Sequence, residues 1–259
     1  MIESFIPFAR ELAAIAAAQT LPRFRAGVTA EHKGGERFDP VTLADREAEA
    51  ALRRRIEAAY PDHGIVGEEY GDDRGDADLV WVLDPVDGTR AFIAGLPVWT
   101  TLIGLCHQGR PVLGVIAQPC LGEVYIGGPG MGSCFHHLGD VTPLRTRPCP
   151  ELSAAILHTT DPALLSEAER SAWQRLAASA RLARLGCDAY AMAMVAAGRI
   201  DLVVECGLKR WDIDGPAAVI MGAGGTIRRG VGAGGRTDLL AGDASMIEAA
   251  LGLIEGAAG

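Results

Sequence analysis

The segment Asp84-Pro85-Val86-Asp87-Gly88-Thr89 follows the apolar run Leu79-Val80-Trp81-Val82-Leu83, and sixteen residues before Asp84 stands a second acidic pair, Glu68-Glu69. Carboxylates are the hard oxygen donors that Mg²⁺ prefers, and no neighbouring His or Cys invites a softer metal. The apolar run reads as a buried strand, which puts both aspartates at or just beyond its carboxyl end. Pro85 and Gly88 enforce a tight turn there, so the two carboxylates converge. A helix opening at Thr89 would turn backbone N–H groups toward the same point and favour a phosphate. The chemistry on offer is the handling of a phosphate group beside a hard metal.

A calcium loop of the EF-hand kind is excluded, because its twelfth position counted from Asp84 is Gly95, not the bidentate Glu such a loop requires. The glycines Gly222, Gly224, Gly225, Gly230, Gly232, Gly234 and Gly235 lack a following Lys-Ser/Thr pair and read as flexible turns, not as a nucleotide loop. Asp212, in Arg210-Trp211-Asp212-Ile213-Asp214, precedes the apolar stretch Ala217 to Met221 and reads locally as a helix cap. The six histidines fall mainly in polar stretches without a Ser or Cys nucleophile beside them, and are expected to be solvated.

The elements that must position these groups follow from periodicity. Ile2, Phe5, Ile6, Ala9, Leu12, Ala13 and Ala16 recur at helical spacing, which predicts an amphipathic helix ending before Gly27. A mobile loop is expected over Glu31 to Asp39, then a capping box at Thr42-Leu43-Ala44-Asp45 that opens a helix with Asp45 in its first turn. Thr100–Leu105, Val112–Ala117 and Glu123–Ile126 read as an antiparallel meander. Beyond Pro148, helices over Leu164 to Ser179 and Asp188 to Ala197 alternate with strands near Ile156, Leu182 and Ile200 to Val204, and a last helix starts at Ser245. Two halves are expected. Residues 1–148 form an α+β unit carrying the metal and phosphate motifs, and 149–259 an α/β unit completing the site, with the Gly/Pro-rich stretch near 127 to 150 as the boundary.

With 259 residues, of which 49% are hydrophobic, the chain can bury a large core. Its formal charge of −9 opposes nucleic-acid binding through general electrostatics, while a metal can still reverse the sign locally for a small phosphorylated substrate. The six scattered cysteines show no metal spacing and read as reduced core thiols. No signal-like start or membrane-length apolar run is seen, so a soluble cytoplasmic protein with no membrane partner is expected.

Taken together, Gly67-Glu68-Glu69, Asp84 to Thr89, Trp211-Asp212 and the Val41 to Asp45 segment resemble the motifs of the inositol monophosphatase superfamily of metal-dependent phosphatases. The resemblance implies a layered αβαβα sandwich of the α+β class. It also implies two or three Mg²⁺ ions held by Glu68, Asp84, Asp87, Asp212 and the Val86 carbonyl, and a homodimer. Within the superfamily, Asp87 to Pro97, Arg184 to Tyr190 and Asp201 to Lys209 look most like the histidinol-phosphate phosphatase branch, in which the arginine matching Arg184 contacts substrate. Two departures stand out. Arg210-Trp211 precedes Asp212, closer to the general inositol-phosphatase form, and Cys187 stands where a glycine is usual.

The mechanism this implies is phosphomonoester hydrolysis by a metal-activated water, without a Ser or Cys nucleophile. Thr89, relayed to Asp45, would orient that water with support from Glu68, and the N–H groups of Gly88 and Thr89, beside Asp87 and Asp212, would hold the phosphate. Asp188 and Glu205 are the expected partners for the ammonium group of histidinol phosphate, with Arg184 nearby. An inositol phosphate or another sugar phosphate is the alternative substrate. A metal-binding regulatory or scaffold protein without catalysis is the alternative of a different class, opposed by the intact Asp45 and Thr89.

Overall fold

The helical spacing of Phe8, Ala9, Leu12, Ala13 and Ala16 is realised in α1 (Ile6–Thr20), whose buried face carries these residues and packs on α2 (Leu43–Ala59). A computed structural model describes residues 2–27, 31–32, 40–231 and 237–255 of the chain. Short 3₁₀ turns flank α1, and β1 (Glu31–His32) pairs antiparallel with β2 (Pro40–Val41). Most of the loop expected over Glu31 to Asp39 lies outside the described residues, as do Gly232, Gly234 and Gly235. Thr42 caps α2 as its sequence predicts. Its hydroxyl accepts from Ala44 N, and Asp45 Oδ2 accepts from Thr42 N at 2.9 Å.

The first sheet has eight strands: β3 (Gly64–Gly67), β4 (Gly71–Asp73), β5 (Leu79–Asp87), β6 (Thr100–His107), β7 (Arg110–Gln118), β8 (Glu123–Gly128), β9 (Gly132–His137) and β10 (Asp140–Pro143). Their order is β10-β9-β8-β7-β6-β5-β3-β4, and every pairing is antiparallel except β3 with β5. The short α3 (Thr89–Ile93) follows β5. The Gly/Pro-rich stretch near 127 to 150 is therefore not loop throughout, because β9 and β10 run through it and extend the meander.

The second sheet, ordered β12-β11-β13-β15-β14, is built from β11 (Ile156–Thr159), β12 (Leu182–Leu185), β13 (Leu202–Leu208), β14 (Thr226–Val231) and β15 (Thr237–Gly242). Between them run α4 (Glu167–Ser179), α5 (Tyr190–Ala196), α6 (Arg210–Gly222) and, at the end, α7 (Ala244–Glu255). Of the glycines expected in turns, Gly222 closes α6 and Gly230 lies in β14. Helix α5 starts two residues later than its periodicity predicts, because Cys187 and Asp188 take positive φ angles of 73° and 43° that no α-helix accommodates.

Three apolar clusters define five layers. Helices α1 and α2 cover one face of the first sheet through Leu12, Leu52, Ile56, Trp81 and Leu105. Its other face meets α5 and α6, which also cover the second sheet, through Leu102, Ile116, Met192, Val203 and Ile220. The far face of the second sheet is closed by α4 and α7 through Trp173, Leu176, Leu202 and Met246. This is the αβαβα sandwich. Helix α6 lies unusually close to the first sheet: a Cβ at Gly114 would stand 1.9 Å from Gly215 O, and one at Gly104 would stand 3.0 Å from Gly215 N. That glycine seam lets the helix carrying Asp212 settle directly on β6 and β7. Among the described residues no helix is long and apolar enough to cross a membrane.

Candidate functional site

In a regular strand, residues three apart point to opposite faces, so Asp84 and Asp87 could not share a site. A β-bulge resolves this. Asp84 pairs with Leu102 and Asp87 with Thr100, so Pro85 and Val86 together oppose the single residue Thr101, whose hydroxyl donates to Pro85 O at 2.7 Å. The extra residue brings the two carboxylates to one side. Val86 N donates to Asp84 Oδ1 at 3.1 Å, which fixes the first of them. Gly88 follows with φ +84°, and a Cβ there would meet Asp188 Oδ2 at 2.7 Å, so only glycine allows both the turn and the neighbour.

Thr89 opens α3, and its hydroxyl has one hydrogen and two acceptors, Val86 O at 3.1 Å and Asp45 Oδ1 at 3.4 Å. Asp45 is 1% exposed, and burial raises its pKa above the ordinary carboxylate range despite the bonds from Thr42. The Thr89–Asp45 pairing foreseen in the sequence is thus present in space, and the Val86 carbonyl competes for the same hydrogen.

Asp212 reaches this point from the opposite half of the chain. It sits in the first turn of α6, where its Oδ2 accepts from Lys209 N at 2.6 Å, so its capping is that of a residue inside the helix, not of the N-cap itself. Trp211 packs against Val66, Val80 and Val82. Two residues on, Asp214 is buried and takes Arg210 Nε at 2.7 Å and Arg229 at 2.8 Å, tying α6 to β14. Asp214 is not among the residues that the sequence singles out for chemistry. The i, i+4 spacing from Arg210 was its one visible signal.

Carboxylate oxygens of Asp84, Asp87 and Asp212 lie within 4.8 Å of one another. Glu68 stands beside them, close enough for its charge to raise the pKa values of both Asp84 and Asp212. Burial is the larger cause. It lifts Asp84 and Asp87 well above the normal range and Asp212 to about 7. Packing four carboxylates this way is costly unless positive charge balances them, and an all-oxygen set of this kind fits Mg²⁺.

Above the cluster opens a cavity of about 700 Å³, lined by Asp87, Gly88, Thr89 and Asp212 together with Asp188, which abuts Gly88, and Glu205. Burial raises Asp188 to about 6, against the pull of Arg90, and Glu205 to about 8. Glu205 Oε1 accepts from Thr160 N at 2.7 Å and from Thr160 Oγ1 at 2.9 Å. Arg184 is exposed on the edge strand β12 and is not part of this cavity's wall. A second cavity of about 710 Å³ lies under α4 and shares Glu205 and Cys206 with the first. There Glu169, Cys206 and Asp238 also approach one another, but Glu169 Oε2 is occupied by Ser166 N, and a thiol does not suit a hard cation.

His158 departs from the solvated role expected of the histidines. It lies on β11 between β12 and β13, 2% exposed, and burial lowers its pKa to about 4. All six cysteines are free thiols; Cys106 and Cys149 are buried and the other four half-buried.

Comparison with known proteins agrees with this architecture. The chain is 46% identical over 192 residues to the bifunctional phosphatase IMPL2, chloroplastic, of Arabidopsis thaliana; the match covers 73% of the chain and about half, 54%, of that protein. It is 35% identical over 187 residues to a histidinol-phosphatase of Chlorobaculum parvum, covering 72% of the chain and 71% of the relative. An inositol monophosphatase structure from Zymomonas mobilis superposes with a TM-score of 0.85 at 39% identity, over 98% of each chain. The model of the inositol monophosphatase family matches residues 1–254, a span that takes in both sheets and every carboxylate of the cluster. On that match, the chain belongs to the inositol monophosphatase family.

Proposed function

We propose that this chain is a Mg²⁺-dependent phosphomonoesterase whose preferred substrate is L-histidinol phosphate. The observation that carries the reading is the convergence of Asp84, Asp87 and Asp212 beside a cavity that Asp87 and Asp212 line together with Asp188 and Glu205. Asp84, Asp87, Asp212, Glu68 and the Val86 carbonyl would hold the cations. Bound there, divalent ions would neutralise phosphate charge and acidify a water.

The chain's own groups do the positioning. When the Thr89 hydroxyl donates to Asp45, the Val86 carbonyl is released from that hydrogen and the Thr89 oxygen can accept from the attacking water. Held in this way, the water would be oriented for attack on phosphorus. Backbone N–H groups of Gly88 and Thr89, which line the cavity, would donate to the phosphate oxygens. In the same cavity, Asp188 and Glu205 would offer two acidic groups to an ammonium, which an inositol ring does not possess.

The name histidinol-phosphatase, borne by the Chlorobaculum relative, supports this substrate. The likeness to the Zymomonas inositol monophosphatase, together with Arg210-Trp211 before Asp212, favours inositol 1-phosphate as the second reading. Phosphate release from a panel of monoesters at equal concentration with Mg²⁺ separates them. A higher kcat/KM for L-histidinol phosphate is expected, and a higher value for inositol 1-phosphate would establish the second reading.

A further inference from the structure

Glu49 lies on α2, one helical turn beyond Asp45, and is 0% exposed. A carboxylate this deep is destabilising unless its oxygens are fully satisfied. They are. Oε2 accepts from Glu69 N at 2.8 Å, and Oε1 accepts from Tyr70 N at 3.2 Å and from Arg53 Nε at 2.8 Å. Arg53 in turn donates to Gly71 O, so one buried ion pair gathers the backbone of residues 69 to 71.

Glu68 is caught between two anchors. Its own N–H donates to Leu83 O at 3.2 Å, the residue just before Asp84, and the next N–H in the chain is held by Glu49. Gly67 completes the arrangement for a steric reason. A Cβ at that position would stand 2.1 Å from Glu49 Oε1, so any side chain there would expel the carboxylate.

We propose that Glu49 is a positioning residue that sets Glu68 against Asp84, with Gly67 as the gap that admits it. The proposal rests on the reading of Glu68 as a metal ligand. On this account α2 supplies two supports a turn apart, Asp45 for Thr89 and Glu49 for Glu68. Neither Glu49 nor Gly67 belongs to the carboxylate cluster or to the cavity's lining.

The test is Mg²⁺ binding by titration calorimetry on the full chain, together with the Mg²⁺ concentration for half-maximal phosphate release, in Glu49→Gln, Gly67→Ala, Glu68→Gln and the Glu49→Gln/Glu68→Gln double variant. Glutamine keeps the shape but supplies one acceptor oxygen and no charge. Loss of such a buried, charge-assisted bond should weaken Mg²⁺ binding about tenfold in each of the first two variants. Glu68→Gln should weaken it at least as much, and the double variant should be no worse than Glu68→Gln alone. If Glu49→Gln does not fold, Gly67→Ala carries the test, since it leaves the carboxylate in the chain. Weakened binding in Glu68→Gln with unchanged binding in Glu49→Gln and Gly67→Ala would overturn the clamp while sparing the metal reading. Unchanged binding in Glu68→Gln would overturn the metal reading and the clamp with it.

Discussion

Ala189 donates its backbone N–H to Asp87 Oδ2 at 2.8 Å, and Thr100 Oγ1 donates to the same oxygen at 2.9 Å. One oxygen of this carboxylate is thereby committed to joining the two halves of the chain, which leaves Oδ1 for the acidic cluster. Asp87→Asn should therefore keep the fold while losing on the order of a thousandfold in hydrolysis rate, about 4 kcal/mol of transition-state stabilisation. Excess chelator should abolish turnover in the unmutated protein, and Mg²⁺ should restore it. Steady-state phosphate release measures both. A loss below about tenfold would remove Asp87 from the site.

Thr89→Ala should lower kcat sharply and leave Mg²⁺ affinity nearly unchanged, because a hydroxyl that orients water acts mainly in the transition state. Thr89→Ser, which keeps the hydroxyl between Val86 O and Asp45, should restore most of the rate. Calorimetric Mg²⁺ titration beside kcat separates this role from one in which Thr89 supports the metal ligands through the Val86 carbonyl.

Glu205→Gln should weaken kcat/KM for L-histidinol phosphate by tens-fold, on the order of 2 kcal/mol, and change that for inositol 1-phosphate little. The amide can still accept from Thr160, so the local backbone keeps its partner. Equal losses for the two substrates would make Glu205 a support of the fold.

Metal-free stability should fall as pH rises from about 4 to about 7. In the unfolded chain a carboxyl group such as that of Asp212 releases its proton near pH 4, whereas in the folded protein burial and Glu68 hold it until about 7. Across that window the native state binds more protons than the unfolded one, so stability is greatest at the acid end and is lost on ionisation. Mg²⁺ substitutes for those protons, so the rise in Tm on adding Mg²⁺ should grow with pH over the same range. Thermal melts from pH 5 to 8 with and without Mg²⁺ check the slope. A metal-induced gain that shrinks with pH would contradict the assignment of these carboxylates.

Local signals in the sequence were read correctly where one short segment decides the outcome. The capping box at Thr42, the strand ahead of Asp84 and the meander from Thr100 all depend on periodicity and neighbours. The bulge was not legible, since nothing in Pro85-Val86 states that two residues will face Thr101 alone. Only the pairing with β6 creates it. Glu49 and Asp214 were missed for a related reason. On a helix each looks like one more surface acid, and their burial comes from Gly67 and from Arg229, which are distant in sequence. The histidine at 158 was misjudged because a polar residue in a strand interior gives no periodic signal of its own.

The contact of Gly215 with Gly104 and Gly114 acts as a calibrated spacer. It sets the height of α6 above the first sheet, and with it the distance from Asp212 to Asp84. A methyl group at Gly114, 1.9 Å from Gly215 O, would have to lift the helix by roughly 1.5 Å to reach ordinary contact, while metal–oxygen bonds tolerate only about 0.2 Å. Damage to this seam would therefore show first as lost metal affinity in a chain that is still folded. Inert members of such a fold could arise by this route with every carboxylate intact, so the presence of the four acidic residues alone is no guarantee of an active enzyme.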